Sequence, residues 1–367
     1  MNSFSRLFFL GLLLATVVIA ACEETTTPPP PDPPAQISVK YTLTFNSSLT
    51  DTVTGLQSDD VFDVIVDSQD RTWVATQAGV SRFRGKAGDG TWNQNNELPN
   101  PKCRSLLEHN GKLWIGTWGG GVGTHEMSTG MWSKLDVDSG LVNNMVSDIA
   151  GVGNTIYFGT NDGASIYTDD PQLDLNDRWE TVPEGRNNDG ILTPIVSVVT
   201  IAQTSTRGQE IWFGPRWEEL ILFGDEDKNG ITVFREGLSQ PIYYTMVNSG
   251  LTEPNVNDIY FDSSTQLFWV ALSTMGLASV DVDASTWTYY TKVDGLPSDV
   301  IYSITKVGDV LWVGTQGGVA KMKSDGKFQG YGRTGGLPGD RVRRVFSDDP
   351  NELWSGYIDQ GAALLDP

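Results

Sequence analysis

The segment DEDKNGITVFRE, residues 225–236, carries the spacing D-x-[DN]-x-[DN]-G-x5-E, with Asp225, Asp227, Asn229, Gly230 and Glu236 in order. Alternate side chains of a tight loop converge on one hard cation while the glycine turns the chain. The spacing therefore points to Ca2+ held by Asp225, Asp227, Asn229 and Glu236. The flanking runs LILF and ITVF read as strands, whereas such loops usually join helices. The alternative is a solvated acidic hairpin whose Asn-Gly pair makes the turn. A second acidic run, DDPQLDLND at 169–177, is a looser candidate and reads better as a solvated loop.

Nucleophilic and acid–base chemistry has few carriers. The histidines are His109, in the hairpin EHNGK, and His125, in a later strand. Two histidines in different strands make neither a Ser-His-Asp set nor a multi-histidine metal centre. His109 is expected in an exposed turn and His125 on a solvated strand. No catalytic set is assigned.

Charge narrows the partners. Lys and Arg number 25 against 46 Asp and Glu, so 25 − 46 leaves −21. That excess argues against nucleic acid, whose phosphates need basic residues to release counterions. It leaves room for cations.

The N-terminus reads as an address. One arginine, the short apolar run LFFLGLLLATVVI and small residues lead to IAAC at Cys22, which resembles a bacterial lipoprotein signal over residues 1–21. An ordinary secretory peptide is the alternative. Residues 22–35 then comprise the lipidated Cys22 and EETTTPPPPDPPA, an extended spacer rising about 3.1 Å per residue. With Cys22 acylated, Cys103 is the remaining thiol, no intrachain disulfide forms, and Cys103 is expected to be a small buried hydrophobe.

Residues 36–367 form the frame that must position any site. LWVGTQGGV at 311–319 returns as LWIGTWGGGV at 113–122 and IYFGTNDGA at 156–164. A phosphate loop occurs once per domain, so these glycines belong to a repeated unit. Tryptophan, or tyrosine in its place, marks the unit at Trp73, Trp114, Tyr157, Trp212, Trp269, Trp312 and Trp354. That spacing with short alternating strands predicts propeller blades, since helical repeats would show an apolar period of 3.6. Within residues 295–336, Gly317 and Gly318 are expected to reverse strand two into strand three, and Gly314 to allow close packing.

The wording G-L-P-x-D followed by L-W-V-G-T-x-x-G-G-V resembles the two-component regulator propeller repeat family. GLPSDVIYSITKVGDVLWVGTQGGV and GLVNNMVSDIAGVGNTIYFGTNDGA carry it most fully, and the resemblance covers nearly all of the chain from residue 41. Blade four departs from it, IWFGPRWEELILF losing the Thr and the glycine pair. The expected fold is all-β, a seven-bladed β-propeller of four-stranded antiparallel blades. The seventh blade, ending GAALLDP, is one strand short, and YTLTFNS at 41–47 is expected to close it and cover its edge.

Propeller ligands usually meet one face of the ring. The turn after strand two offers Gln77, Trp118, Asn161, Trp217, Met275, Gln316 and Tyr357, which vary while the glycines around them repeat. Aromatics stack and amides hydrogen-bond, so the set suits sugar rings or extended peptides; turn filler is the alternative. The resemblance implies a sensor-like role, since such repeats form periplasmic regions of hybrid histidine kinases. The expectation is a monomeric, non-enzymatic module at the outer membrane of a bacterial envelope. It would bind a glycan or an extracellular protein and touch the membrane through its lipid alone. A polysaccharide lyase is the alternative, with Tyr357 or His125 as base beside Arg343 or Arg344.

Overall fold

The computed structural model describes residues 34–45, 52–182, 190–216 and 229–367. Cys22, Trp217, Asp225 and Asp227 lie outside the described residues.

Seven antiparallel four-stranded sheets follow one another along the chain as blades of a ring. Their innermost strands are Val61–Val66, Cys103–His109, Val146–Val152, Val196–Thr204, Val256–Asp262, Ile301–Val307 and Val342–Phe346. Each packs on the innermost strand of the next blade, and that of blade seven packs on that of blade one. The second strands are Thr72–Thr76, Lys112–Thr117, Thr155–Thr160, Gly208–Pro215, Leu267–Leu272, Val310–Thr315 and Leu353–Tyr357.

The core is divided into seven apolar wedges, one in each gap between blades. Five positions before the first residue of each innermost strand a buried side chain pegs the wedge: Leu56, Leu98, Leu141, Ile191, Leu251, Leu296 and Leu337. In three copies a short 3-10 turn ends on a left-handed glycine, Gly140, Gly295 or Gly336, which lets the chain turn inward at the leucine. The repeated aromatic of strand two faces the following blade. Trp73 joins Leu98 and Leu106 of blade two, and Trp354 joins Leu56 and Val64 of blade one. Trp212 stacks on Phe268 of blade five with ring centroids 3.9 Å apart. Tryptophan recurs because flat blades leave a wide gap that a large side chain fills, each such burial stabilising by roughly 3 kcal/mol.

The turn glycines behave as expected. A Cβ on Gly318, at φ 125°, would collide with the Tyr331 carbonyl, and one on Gly314 would lie 2.8 Å from Val342 O of the next blade. Thr315 Oγ1 donates to Gly318 O at 2.9 Å, and Thr76, Thr117 and Thr160 close the same turn in their blades.

Ring closure differs in register from the sequence expectation. The closing strand is Ser38–Thr44, antiparallel to Ala362–Asp366, and not residues 41–47. Tyr41 and Leu43 bury against the Trp354 wedge whereas Phe45 is exposed, so the apolar pattern sets the earlier frame. Thr52–Thr54 adds a fifth, parallel strand to this sheet, which three residues are too few to announce.

A candidate binding site at the channel mouth

Each innermost strand carries one register shift near its start, between Val61 and Asp63, Cys103 and Ser105, Val146 and Asp148, Val196 and Val198, Val256 and Asp258, Ile301 and Ser303, and Val342 and Arg344. A bulge leaves one residue out of the ladder and re-aims its side chain. The seven bulged residues are Phe62, Arg104, Ser147, Ser197, Asn257, Tyr302 and Arg343, and all seven line one cavity of about 350 Å³ on the axis of the ring. The seven-fold repeat of one local defect thus builds a ring of variable side chains on a constant frame. Sequence reading missed this ring, although aligning the blades on their V-x-D and I-x-S starts would have exposed it.

In blades one, three, five and seven the residue after the bulge points deeper. Asp63, Asp148, Asp258 and Arg344 line both this cavity and a second one of about 630 Å³ further along the axis, and so form the channel's waist. Their first task is to join blades. Asp63 accepts the Leu106 amide of blade two at 2.8 Å, Asp148 that of Val199 in blade four at 2.8 Å, and Asp258 that of Ile304 in blade six at 2.8 Å. Ser303 Oγ accepts the Val345 amide of blade seven. Blade seven answers with Arg344, whose Nε lies 2.7 Å from Asp63 Oδ1 and whose Nη1 lies 4.0 Å from Asp258 Oδ2.

This density of charge in little water shifts the titrations. Burial raises Asp63 and Asp258 despite Arg344 and the amide bonds. Burial pushes Asp148 up to about 7, against the Val199 amide and aided by Asp258. Burial opposes the charge of Arg344, yet Asp63, Asp258 and Asp148 outweigh it and raise that group.

At the mouth the guanidinium groups of Arg104 and Arg343 lie on the Phe62 ring, 4.0 and 3.9 Å from its centroid, and Arg104 also lies 4.8 Å from that of Trp118. Arg343 Nη1 donates to Asp60 Oδ1 at 2.6 Å and to Val61 O at 2.9 Å, across the closure between blades seven and one. Burial lowers Arg343, Asp60 offsets part of that, and the charge of Arg216 lowers it further.

The turn set expected from sequence is partly out of register. In six blades the residue after strand two donates its amide to the residue just before strand one: Gln77, Trp118, Asn161, Ser273, Gln316 and Ile358. In blade four Pro215 ends the strand opposite Val196, so Arg216 takes the place assigned to Trp217. Ser273 replaces Met275, which is exposed and whose amide donates to Glu253. Ile358 replaces Tyr357, which lies fully buried at the end of its strand with Ser355 beside its hydroxyl. Of this position, Trp118, Asn161 and Arg216 reach the cavity lining, while Gln77 and Gln316 do not.

Other expected residues are also redistributed. Asn229 precedes the strand Gly230–Arg235 and Glu236 follows it. At about 3.3 Å per residue, seven steps separate them by roughly 23 Å, so one cation cannot take both. Among the described residues no group of three or more His, Cys, Asp or Glu is placed to hold a metal ion. His125 is not solvated; it is buried, stacked on Trp132 at 4.5 Å and tilted against Trp73 and Trp92. His109 Nε2 is 2.8 Å from Gly153 O. Cys103 is a buried free thiol whose burial pushes its titration upward. Neither Tyr357 nor His125 belongs to the lining that holds Arg343 and Arg344, so the lyase base expected from sequence is not brought to them.

No protein-family model matches the chain, and no curated protein matches it. Solved structures do. The extracellular domain of a hybrid two-component system protein from B. thetaiotaomicron superposes with a TM-score of 0.67 at 17% identity, over 85% of this chain and 40% of that one. Virginiamycin B lyase from Staphylococcus aureus gives 0.60 at 13% identity, over 84% and 95%. YCF48 bound to a D1 peptide gives 0.57 at 13% identity, over 84% and 91%. These likenesses are of fold. The chain spans less than half the length of the two-component system domain it matches. Among the described residues no helix is long and apolar enough to cross a membrane.

Proposed function

We propose that this chain is a binding module of the bacterial cell envelope, without catalysis of its own, that takes the end of a glycan into the channel mouth and signals through another protein. One observation carries the reading. A single cavity receives a bulged side chain from all seven blades and sets the rings of Trp118 and Tyr302 near the amide of Asn161. Aromatic faces stack on sugar rings and amides bond their hydroxyls. About 350 Å³ suits a chain end and excludes a folded domain.

Placement outside the cytoplasm is supported by the lipoprotein-like sequence ending at Cys22 and by the fold neighbour's being an extracellular domain. Acyl chains on Cys22 would supply the insertion energy, and residues 23–35 the spacer. Cys22→Ser should move the protein from the membrane pellet to the soluble fraction; continued pelleting would sink the anchor.

The binding reading is tested with a panel of neutral and charged oligosaccharides, following both melting temperature and the absorbance of unsaturated products. At least one glycan should raise the melting temperature, and Trp118→Ala should remove the rise. A panel without any shift would overturn glycan binding, and a rising product absorbance would overturn the non-catalytic part.

A further inference from the structure

The seven bulged side chains are unevenly distributed by size. Tyr302, Arg343, Phe62 and Arg104 are large and follow one another around the ring, from blade six through seven and one to two. Ser147 and Ser197, from blades three and four, are the small ones, with Asn257 of blade five next to them. A bulge takes its side chain out of the ladder, so the blade itself demands neither size.

The large side is already packed. Arg343 and Arg104 lie on Phe62, 3.9 and 4.0 Å from its centroid, and Arg104 also lies 4.8 Å from that of Trp118. Four planar groups thus form one wall from blade seven to blade two, and Asp60 fixes its Arg343 end. At its other end Trp118 bridges to Met145, which leads into blade three. Four arginines line the cavity, and Asp60, Asp63, Asp148 and Asp258 answer them in number, so shape and hydrogen bonding are left to select. Asn257 offers little of the second. Its Nδ2 donates to Ile301 O at 2.6 Å, and its Oδ1 accepts from Ser273 Oγ at 3.1 Å. Ser147 and Ser197 are half-buried, and among the described residues neither hydroxyl has a hydrogen-bond partner.

We infer that Ser147 and Ser197 set the specificity of the mouth, and that it takes an unbranched glycan end with free hydroxyls. The terminal ring stacks on Trp118, and its hydroxyl edge meets the two serines in the room that their small side chains leave. A cavity of about 350 Å³ is at the lower end of ligand pockets, which run from roughly 300 to 1,000 Å³, so a branch on the terminal ring has no place. This rests on the binding reading above and names the substrate class of the same site.

The test is calorimetric titration of the purified protein with linear trimers of glucose, mannose, galactose and galacturonic acid, and with the same trimers carrying a one-sugar branch on the terminal ring. At least one linear trimer should bind, and its branched form should bind at least about tenfold more weakly. Ser147→Phe and Ser197→Phe should each remove that binding, with a melting temperature within about 2 °C of the parent. Ser197→Ala, which keeps the space and removes the hydroxyl, should weaken binding roughly three- to tenfold while the preference for the linear form persists. Should a phenylalanine variant melt early, the alanine variant decides, and parental affinity there overturns the inference. Equal binding of linear and branched forms, or well-folded phenylalanine variants that bind like the parent, also overturns it. If Trp118→Ala abolishes binding in that case, the glycan reading stands while the specificity assignment falls. Binding by none of the trimers removes both.

Discussion

Arg344 of the last blade and Asp63 of the first meet in the channel waist, 2.7 Å apart, where ring closure and channel chemistry become one contact. Asp63 also accepts the Leu106 amide, so this carboxylate ties blades seven, one and two. Replacing Arg344 by Met should lower unfolding free energy by about 2–4 kcal/mol. That is discounted from the cost of breaking a fully buried pair because the channel leaves the Arg344 side chain 29% exposed. Part of the loss should return on acidification, as the abandoned carboxylates take protons. Denaturant titrations at two pH values check this, and a variant as stable as the parent at neutral pH would contradict it.

Asp148 gives the waist a pH dependence of unusual sign. Its native titration, near 7, lies above the ordinary 3.8, so between those values the folded protein holds a proton that the unfolded chain has released. Stability must therefore fall as pH rises across that window and level off above it. The effect should be at most a few kcal/mol, since Asp148 keeps some contact with channel water. Asp148→Asn should flatten this component, at the cost of one of the two amide bonds to its carboxylate. Parallel stability curves for parent and variant from pH 5 to 8 would refute the assignment.

The N-terminal strand is a clasp. Deleting residues 34–45 exposes the Ala362–Asp366 edge and removes Tyr41 and Leu43 from their wedge. Aggregation, or a fall of more than 10 °C in melting temperature, is expected. The milder Leu43→Ala should cost about 2–5 kcal/mol by itself. An unaltered melting curve for the deletion would mean that the ring closes without the clasp.

For the acidic loop we propose a weak site of Asp225, Asp227, Asn229 and a backbone carbonyl, without Glu236. Calcium should raise the melting temperature only at millimolar concentration, with magnesium less effective and Asp227→Ala removing the rise. Glu236→Gln should leave that response unchanged. If Glu236→Gln abolishes it instead, the twelve-residue reading returns; if calcium gives neither heat nor shift, the loop is an acidic turn.

The blade pattern was legible in the chain alone because it is local. Apolar alternation, the GL peg and the Gly-Gly reversal each act within a few residues, and seven repetitions leave one architecture that closes. The repeated tryptophan even carries the turn register: four residues beyond Trp73, Trp114, Tyr157, Trp212, Trp269, Trp312 and Trp354 stand Gln77, Trp118, Asn161, Arg216, Ser273, Gln316 and Ile358. Met275 and Tyr357, taken from the turn after strand two, stand two places beyond and one place short of this register. The bulge ring was beyond such reading. Phe62, Arg104 and Arg343 are far apart in sequence and belong to three strands. Only the curvature of the closed ring brings their side chains to one axis, where two guanidinium groups can share one aromatic face. Arg344 is likewise placed by the closed ring and not by its neighbours in sequence. It becomes a structural ion because three aspartates from blades one, three and five converge on it where seven innermost strands leave little water.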